Sequence, residues 1–121
     1  MNTEGGSQKK FTCDGEDINP RILISDVPVG AKSLNLIMDD PDSPTGTWIH
    51  WIVKNISSDT KEIPENSVPE GATEEITTFG KSGYGGPCPG SGEHRYFFKL
   101  KAFDENGVVI DHAEWMGKYQ R

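Results

Sequence analysis

The sequence lacks an excess of basic residues and has no long hydrophobic run. Its 121 residues include 12 Lys and Arg against 19 Asp and Glu, which gives a formal net charge of −7. This balance argues against binding to duplex nucleic acid or to an anionic membrane surface, because both favour clustered Lys and Arg. No apolar stretch approaches the roughly 20 residues of a transmembrane helix, so we expect no integral membrane segment.

The beginning of the chain also lacks an apolar stretch. Residues 1–10 read "MNTEGGSQKK", without the hydrophobic region of a secretory signal. The sequence therefore predicts a cytoplasmic location.

Cysteine is scarce, since only Cys13 and Cys88 are present. They lie far apart in the sequence and match no metal-ligand spacing. For a cytoplasmic protein we expect both to be reduced thiols, while a single disulfide between them stays open.

The length is typical of one domain, which would span residues 1–121 around a single hydrophobic core. Gly and Pro are scattered between short apolar runs, a pattern typical of an all-β chain. Alternation predicts a strand over 33–40, and 47–56 is apolar on both faces, which favours a central strand. Segment 57–79 is polar and interrupted by prolines, so we expect a surface excursion without a packed element.

The stretch "EHRYFFKLKAF" alternates between two faces. The period of two places His94 and Tyr96 on one mostly apolar face and Arg95 on the other. We therefore expect His94 and Tyr96 to contribute to the same site, and Arg95 to point away from it.

Asn106-Gly107, between two apolar runs, predicts a hairpin with a type I′ turn, in which both central residues have positive φ. The chain would then return as a strand over about 108–116. A helix starting at Asp111 is the competing interpretation, but Gly117 would weaken it by about 1 kcal/mol. We favour the strand.

Two polar stretches could form a site together. In "DDPDSPTGTWIHW", Asp40 and Asp42 flank a proline at a strand end, where aspartates usually form turns. His50 lies within an apolar strand, and a buried imidazole needs a hydrogen-bonding partner. Taken alone, each of these residues is more typical of structure than of function.

The second stretch, "GKSGYGGPCPGSGE", leads directly into His94 and Tyr96. Glycines allow backbone N–H groups to approach an anion closely, so the combination predicts a small anion site. No Ser or Cys lies in a recognisable nucleophile motif, and His50, His94 and an aspartate match no metal spacing. We therefore expect neither a catalytic residue nor a metal, and a hydrolase is the weaker interpretation.

Both stretches, together with "FTCDGEDINP", resemble the phosphatidylethanolamine-binding protein family, in particular its prokaryotic Raf-kinase-inhibitor-like branch. The D-P-D-x-P and G-x-H-R-Y signatures carry the resemblance, which runs from about residue 5 to the C-terminus. It implies an all-β, β-sandwich fold with Greek-key character and a small surface cavity. In that family the cavity holds phosphate, acetate or a phospholipid headgroup.

The resemblance implies non-enzymatic binding of a small anion or phospholipid headgroup, without a cofactor. The alternatives are a regulatory module that inhibits a protein partner, a kinase or a protease, and an esterase- or phosphatase-like hydrolase. Asp40 would accept a hydrogen bond from an imidazole, with Asp42 as the second acid of its motif. The implied ligand-binding residues are Asp40, Asp42, His50, Gly86, Pro87, His94 and Tyr96.

The sequence departs from the family before its last strand. Family members carry a helical insertion there, whereas Asp104 to Gly107 leave room only for a tight hairpin turn. Apolar surface that the helix would have covered could meet a second copy, which makes a homodimer a candidate assembly.

Overall fold

The computed structural model describes residues 1–6 and 8–121, and its regular structure is almost entirely β. No α-helix occurs in these residues, and so none that could cross a membrane. A 3₁₀ turn spans Lys9–Phe11. The strands are β1 (Asn2–Glu4), β2 (Ile22–Ser25), β3 (Ser33–Asp40), β4 (Trp48–Ser57), β5 (Glu62–Ile63), β6 (Thr73–Glu74), β7 (Glu93–Phe103) and β8 (Val109–Gln120).

These strands form two antiparallel sheets, which confirms the predicted all-β sandwich. The larger sheet has the order β6-β4-β3-β7-β8, and the smaller has the order β1-β2-β5. β3 pairs with β4 on one side and with β7 on the other, although β7 is distant in sequence. The strand ends of β3, β4 and β7 are thereby brought together.

The core lies on the inward face of the larger sheet, where alternate residues are buried. In β3, Leu36 and Met38 are directly opposite Leu100 and Phe98 of β7. Ile22 and Ile63, both fully buried, come from the smaller sheet. The alternation that predicted β3 from its sequence is therefore the alternation that fills the core.

Segment 57–79 does contain packed structure, contrary to the prediction. It includes β5 and β6, and Ile63 of β5 belongs to the core. A strand of two residues is too short to show a sequence period, which is why the pattern was missed.

The predicted hairpin between β7 and β8 is confirmed, with a tight turn between the two strands. β8 continues to Gln120, so the competing helix from Asp111 does not form. The predicted turn type, I′, was wrong, because Gly107 has a positive φ of +77° but Asn106 does not. Instead, Gly107 N–H donates to Asp104 O at 3.0 Å, and the Asp104 carboxylate accepts the N–H groups of Asn106 and Val108.

Cys13 and Cys88 form a disulfide, so the prediction of two reduced thiols was wrong. The backbone N–H of Cys13 donates to Pro87 O at 3.1 Å, and the two cysteine Cα atoms are 5.4 Å apart. This proximity arises from tertiary structure across a sequence separation of 75 residues, which sequence spacing does not reveal. The bridge ties the segment after the 3₁₀ turn to the loop before β7.

Candidate functional site

A cavity of about 310 Å³ opens at the end of the larger sheet, where β3 ends and β7 begins. Asp40 is the last residue of β3, His50 lies near the start of β4, and His94 and Tyr96 lie at the start of β7. Four of the predicted site residues therefore meet here. The cavity is lined by Asp40, Ser43, Pro44, Thr45, Trp48, His50, Phe79, Cys88, Pro89, Gly90, His94 and Tyr96.

The carboxylate of Asp40 is buried and is hydrogen-bonded through both of its oxygens. Its side chain accepts the backbone N–H of Asp42 at 2.8 Å and the Nδ1–H of His94 at 2.7 Å. Asp40 is only 3% exposed, so this pairing compensates a charge that has little contact with water. The bond fixes the tautomer of His94 and leaves its Nε2 for the cavity.

His50 is 4% exposed and is held by the loop that precedes β7. Its Nδ1 donates to the carbonyl of Gly85 at 2.7 Å, and its ring meets the rings of Phe79 and Tyr96 edge-on. Burial lowers the pKa of His50 below its ordinary value, against the opposing effects of the Gly85 carbonyl and the Asp40 charge. His50 is therefore neutral near pH 7, and its Nε2 is an acceptor.

Tyr96 supplies an O–H donor that no group among the described residues accepts. The residue is 2% exposed, the backbone N–H of Cys88 lies near its hydroxyl oxygen, and its O–H has no acceptor among the described residues. The pKa of Tyr96 is raised above its ordinary value, mainly by burial and to a smaller extent by the nearby charge of Asp40. The phenol therefore keeps its proton throughout the physiological range.

Asp42 lies outside the cavity lining and is paired with Arg95. It accepts the backbone N–H of Arg95 at 2.9 Å and two guanidinium hydrogen bonds at 2.9 and 2.8 Å. These side-chain and backbone bonds hold the pKa of Asp42 well below its usual range. Arg95 points away from the cavity, as the strand alternation predicted. Asp42 therefore holds the backbone and side chain of Arg95 at the start of β7 and does not face the cavity.

Gly86 and Pro87 are also outside the cavity lining. Gly86 N–H donates to Asp17 Oδ1 at 2.8 Å, and a Cβ on Gly86 would lie 2.2 Å from the carbonyl oxygen of Phe11. Pro87 lies beside Phe11 and Tyr84, around a small apolar void. The chain reaches the cavity one residue later, through residues 88–90.

Several lining residues were missed in the sequence. Trp48 lies two residues before His50 on the same strand, so the period of two could have identified it. Phe79 comes from a loop and has no comparable signal; its ring packs edge-on against Trp48 at 5.6 Å between centroids. Together they form an apolar wall, and the hydroxyls of Ser43 and Thr45, 3.3 Å apart, add polar groups at the edge.

No Lys or Arg side chain is among the described residues that line the cavity. Arg95 is engaged by Asp42, and Lys99 pairs with Asp39 at 2.9 Å on the other face of the sheet. Asp40 is therefore the one fixed charge of this lining, and only protonation of a histidine would add a positive charge to it.

Comparisons with known proteins agree on one family. The sequence profile described as phosphatidylethanolamine-binding protein matches residues 2–119. UPF0098 proteins of Aquifex aeolicus and Methanothermobacter thermautotrophicus are each 45% identical, covering 93% and 100% of this chain and 80% and 95% of their own lengths. The crystal structure of a phosphatidylethanolamine-binding protein homologue from Chlamydia trachomatis superposes with a TM-score of 0.90 at 34% identity, covering 99% of this chain and 97% of the homologue.

The relatives also carry residues that this chain lacks. The alignment with the Methanothermobacter protein extends over 143 positions, whereas the chain has 121 residues. On the profile match, the identities and the shared fold, the chain belongs to the phosphatidylethanolamine-binding protein family.

Proposed function

We propose that the cavity binds a phosphate-bearing or other small anionic ligand without catalysing its conversion. The observation that carries this proposal is the buried Tyr96 hydroxyl, whose O–H has no acceptor among the described residues, in a side chain that lines the cavity together with His50 and His94. A buried polar group without a partner costs about 1–3 kcal/mol, and a ligand oxygen would recover much of that cost.

Binding is favoured over hydrolysis by the hydrogen bonds of the hydroxyl side chains. The Ser43 hydroxyl is hydrogen-bonded to that of Thr45, and neither is hydrogen-bonded to an imidazole. A serine nucleophile needs an adjacent base to activate it. The imidazole Nδ1 atoms are committed instead to Gly85 and Asp40.

Affinity for an anion should depend on pH. Protonated His50 and His94 would each present an Nε2–H donor to the anion. Because no Lys or Arg lines the described cavity, these protons supply the attraction. We expect binding to strengthen as pH falls through the histidine range.

A titration with inorganic phosphate, followed by NMR of the imidazole groups at about pH 7.5 and about pH 5.5, tests the proposal. We expect shifts at His50 and His94 that saturate at lower phosphate concentration in the acidic sample. His112, which is exposed on β8 away from the cavity, is the internal control. If His50 and His94 do not respond at either pH, anion binding at this site is wrong. A His94→Ala variant should lose the response.

A further inference from the structure

The hydrogen-bonding pattern of the cavity restricts the kind of anion it accepts. Resting on the proposed anion binding, we infer that the site prefers oxyanions that carry their own proton. These are phosphomonoesters and inorganic phosphate, and the site discriminates against phosphodiesters and sulfate.

The first argument concerns donors and acceptors. A neutral imidazole has a single N–H, and in both cavity histidines the protein uses it: His50 donates to Gly85 O, and His94 donates to Asp40. Each ring therefore presents the lone pair of Nε2 to a ligand. Beside these two imidazole acceptors the side-chain donor is the Tyr96 hydroxyl, and the hydroxyls of Ser43 and Thr45 add donors only at the edge of the cavity.

The second argument concerns charge. Asp40 contributes a buried negative charge to the lining, while Tyr96 stays neutral. Arg121 lies near the cavity, with a guanidinium nitrogen 3.5 Å from Cys88 Sγ, but it is paired with Asp14 at 3.2 Å. The carboxylate of Asp17 adds a second negative charge near His50. An anion without a proton would therefore meet lone pairs and a carboxylate, and both repel it.

A phosphomonoester can satisfy this arrangement. Its second pKa is about 6, so at pH 7 about a tenth of it carries a P–OH group, and the site can select that form. That hydroxyl can donate to Nε2 of His50 or His94, while an unprotonated oxygen accepts from Tyr96. Inorganic phosphate has the same capacity.

Phosphodiesters and sulfate have no proton to donate near neutral pH. They can accept a hydrogen bond from Nε2 of His50 only after its ring is protonated, and burial opposes that protonation. The selectivity should therefore be largest near neutral pH and should shrink under acidic conditions. Free phosphoethanolamine is a phosphomonoester, but the same group becomes a phosphodiester when it is esterified to a lipid. The site should therefore favour free phosphoethanolamine over the lipid-linked headgroup.

Calorimetry with four probes tests this inference: phosphoethanolamine, glycerophosphoethanolamine, inorganic phosphate and sulfate, each at about pH 7.5 and about pH 5.5. At the higher pH we expect the monoester and phosphate to bind at least about tenfold more tightly than the diester and sulfate. At the lower pH the ratio should fall. At about pH 5.5 most of the monoester already carries its proton, so buffers of different ionisation enthalpy should then show net proton uptake mainly with the diester.

A variant locates the effect. His50→Gln introduces an amide that can donate an N–H to an unprotonated oxygen, so the ratio of monoester to diester affinity at about pH 7.5 should decrease. His112→Gln is the matched control and should keep the wild-type ratio. The pH series of the wild-type protein gives the same test without any substitution.

The outcomes separate the two proposals. Equal affinity for monoester and diester at both pH values would overturn the proton preference and leave anion binding in place. No detectable binding of any of the four probes would overturn the proposed function, and the preference with it.

Discussion

His50 shows how burial sets the charge of one residue. Its ring is almost fully buried, and its pKa is lowered by that burial. In the unfolded chain its pKa returns to about 6.5. Above this value both states are neutral, so the histidine makes no difference to stability.

As pH falls below about 6.5, the unfolded chain binds a proton at His50 before the folded protein does. The free energy of unfolding should therefore decrease with falling pH in this window, until the folded protein also takes up the proton. Urea unfolding at several pH values between about 8 and about 5 measures the effect. Anion-free buffers are needed, because a bound anion would favour the protonated ring.

His50→Gln removes the titrating group and should give a shallower pH dependence than the wild-type protein. His112→Gln, at an exposed position, should keep the wild-type slope. Loss of the slope in His112→Gln alone would contradict this account. Asp42 does not confuse the comparison, because its pKa is lowered by Arg95 and its stabilising effect is lost only at much lower pH.

At the scale of single residues, sequence reasoning succeeded where one face of a strand carries the chemistry. His94 and Tyr96 share a face and Arg95 does not, because side chains alternate along β7. Gly86 was expected at the cavity, but its backbone packs against Phe11 and Asp17 instead. The packing of a loop glycine depends on distant parts of the chain, and the local sequence contains no information about them.

At the scale of elements, the long strands were predictable and the short ones were not. β3 has the bounds predicted from its alternation, 33–40, because burial of one face imposes the period. β5 and β6 have two residues each, and a period cannot be read from two residues. The position of the β7–β8 hairpin was also predicted, although the conformation of its turn was not.

The turn conformation gives a prediction for this element. Gly107 has φ +77°, and a Cβ built there meets no atom within 4 Å. Gly107→Ala should therefore destabilise the protein by about 1 kcal/mol through backbone strain alone. Thermal or urea unfolding measures the change.

Gly90→Ala is a suitable control for this substitution. A Cβ at Gly90 also meets no atom within 4 Å, and its φ lies outside the left-handed region. We expect a change within about 0.5 kcal/mol for Gly90→Ala, or a slight stabilisation from reduced freedom of the unfolded chain. Equal destabilisation by both substitutions would contradict the role assigned to the Gly107 conformation.

At the scale of the whole molecule, the disulfide and the expected location disagree. A cytoplasmic location was expected from residues 1–10, but disulfides persist mainly in oxidising compartments. The bridge joins two segments that are already held by hydrogen bonds, including Tyr84 Oη–H to Phe11 O at 2.7 Å and Gly86 N–H to Asp17 at 2.8 Å. These hydrogen bonds should therefore hold the two segments together even without the covalent bond.

Reduction of the disulfide should consequently lower stability without abolishing the fold. The bridge closes a loop with a sequence separation of 75 residues. The chain-entropy account gives roughly 4.5 kcal/mol as an upper estimate for a loop of this size. Because Cys88, Pro89 and Gly90 line the cavity, the same loss should loosen one of its walls and weaken phosphate binding.

Urea unfolding with and without a thiol reductant measures the stability change, and a thiol assay establishes the redox state of each sample. A variant carrying both Cys13→Ser and Cys88→Ser should match the reduced protein and should not respond to the reductant. Two free thiols in protein prepared under oxidising conditions would show that the bridge does not form. An unchanged unfolding midpoint after complete reduction would show instead that the hydrogen bonds between these segments suffice, so that the disulfide adds little to the wall of the cavity.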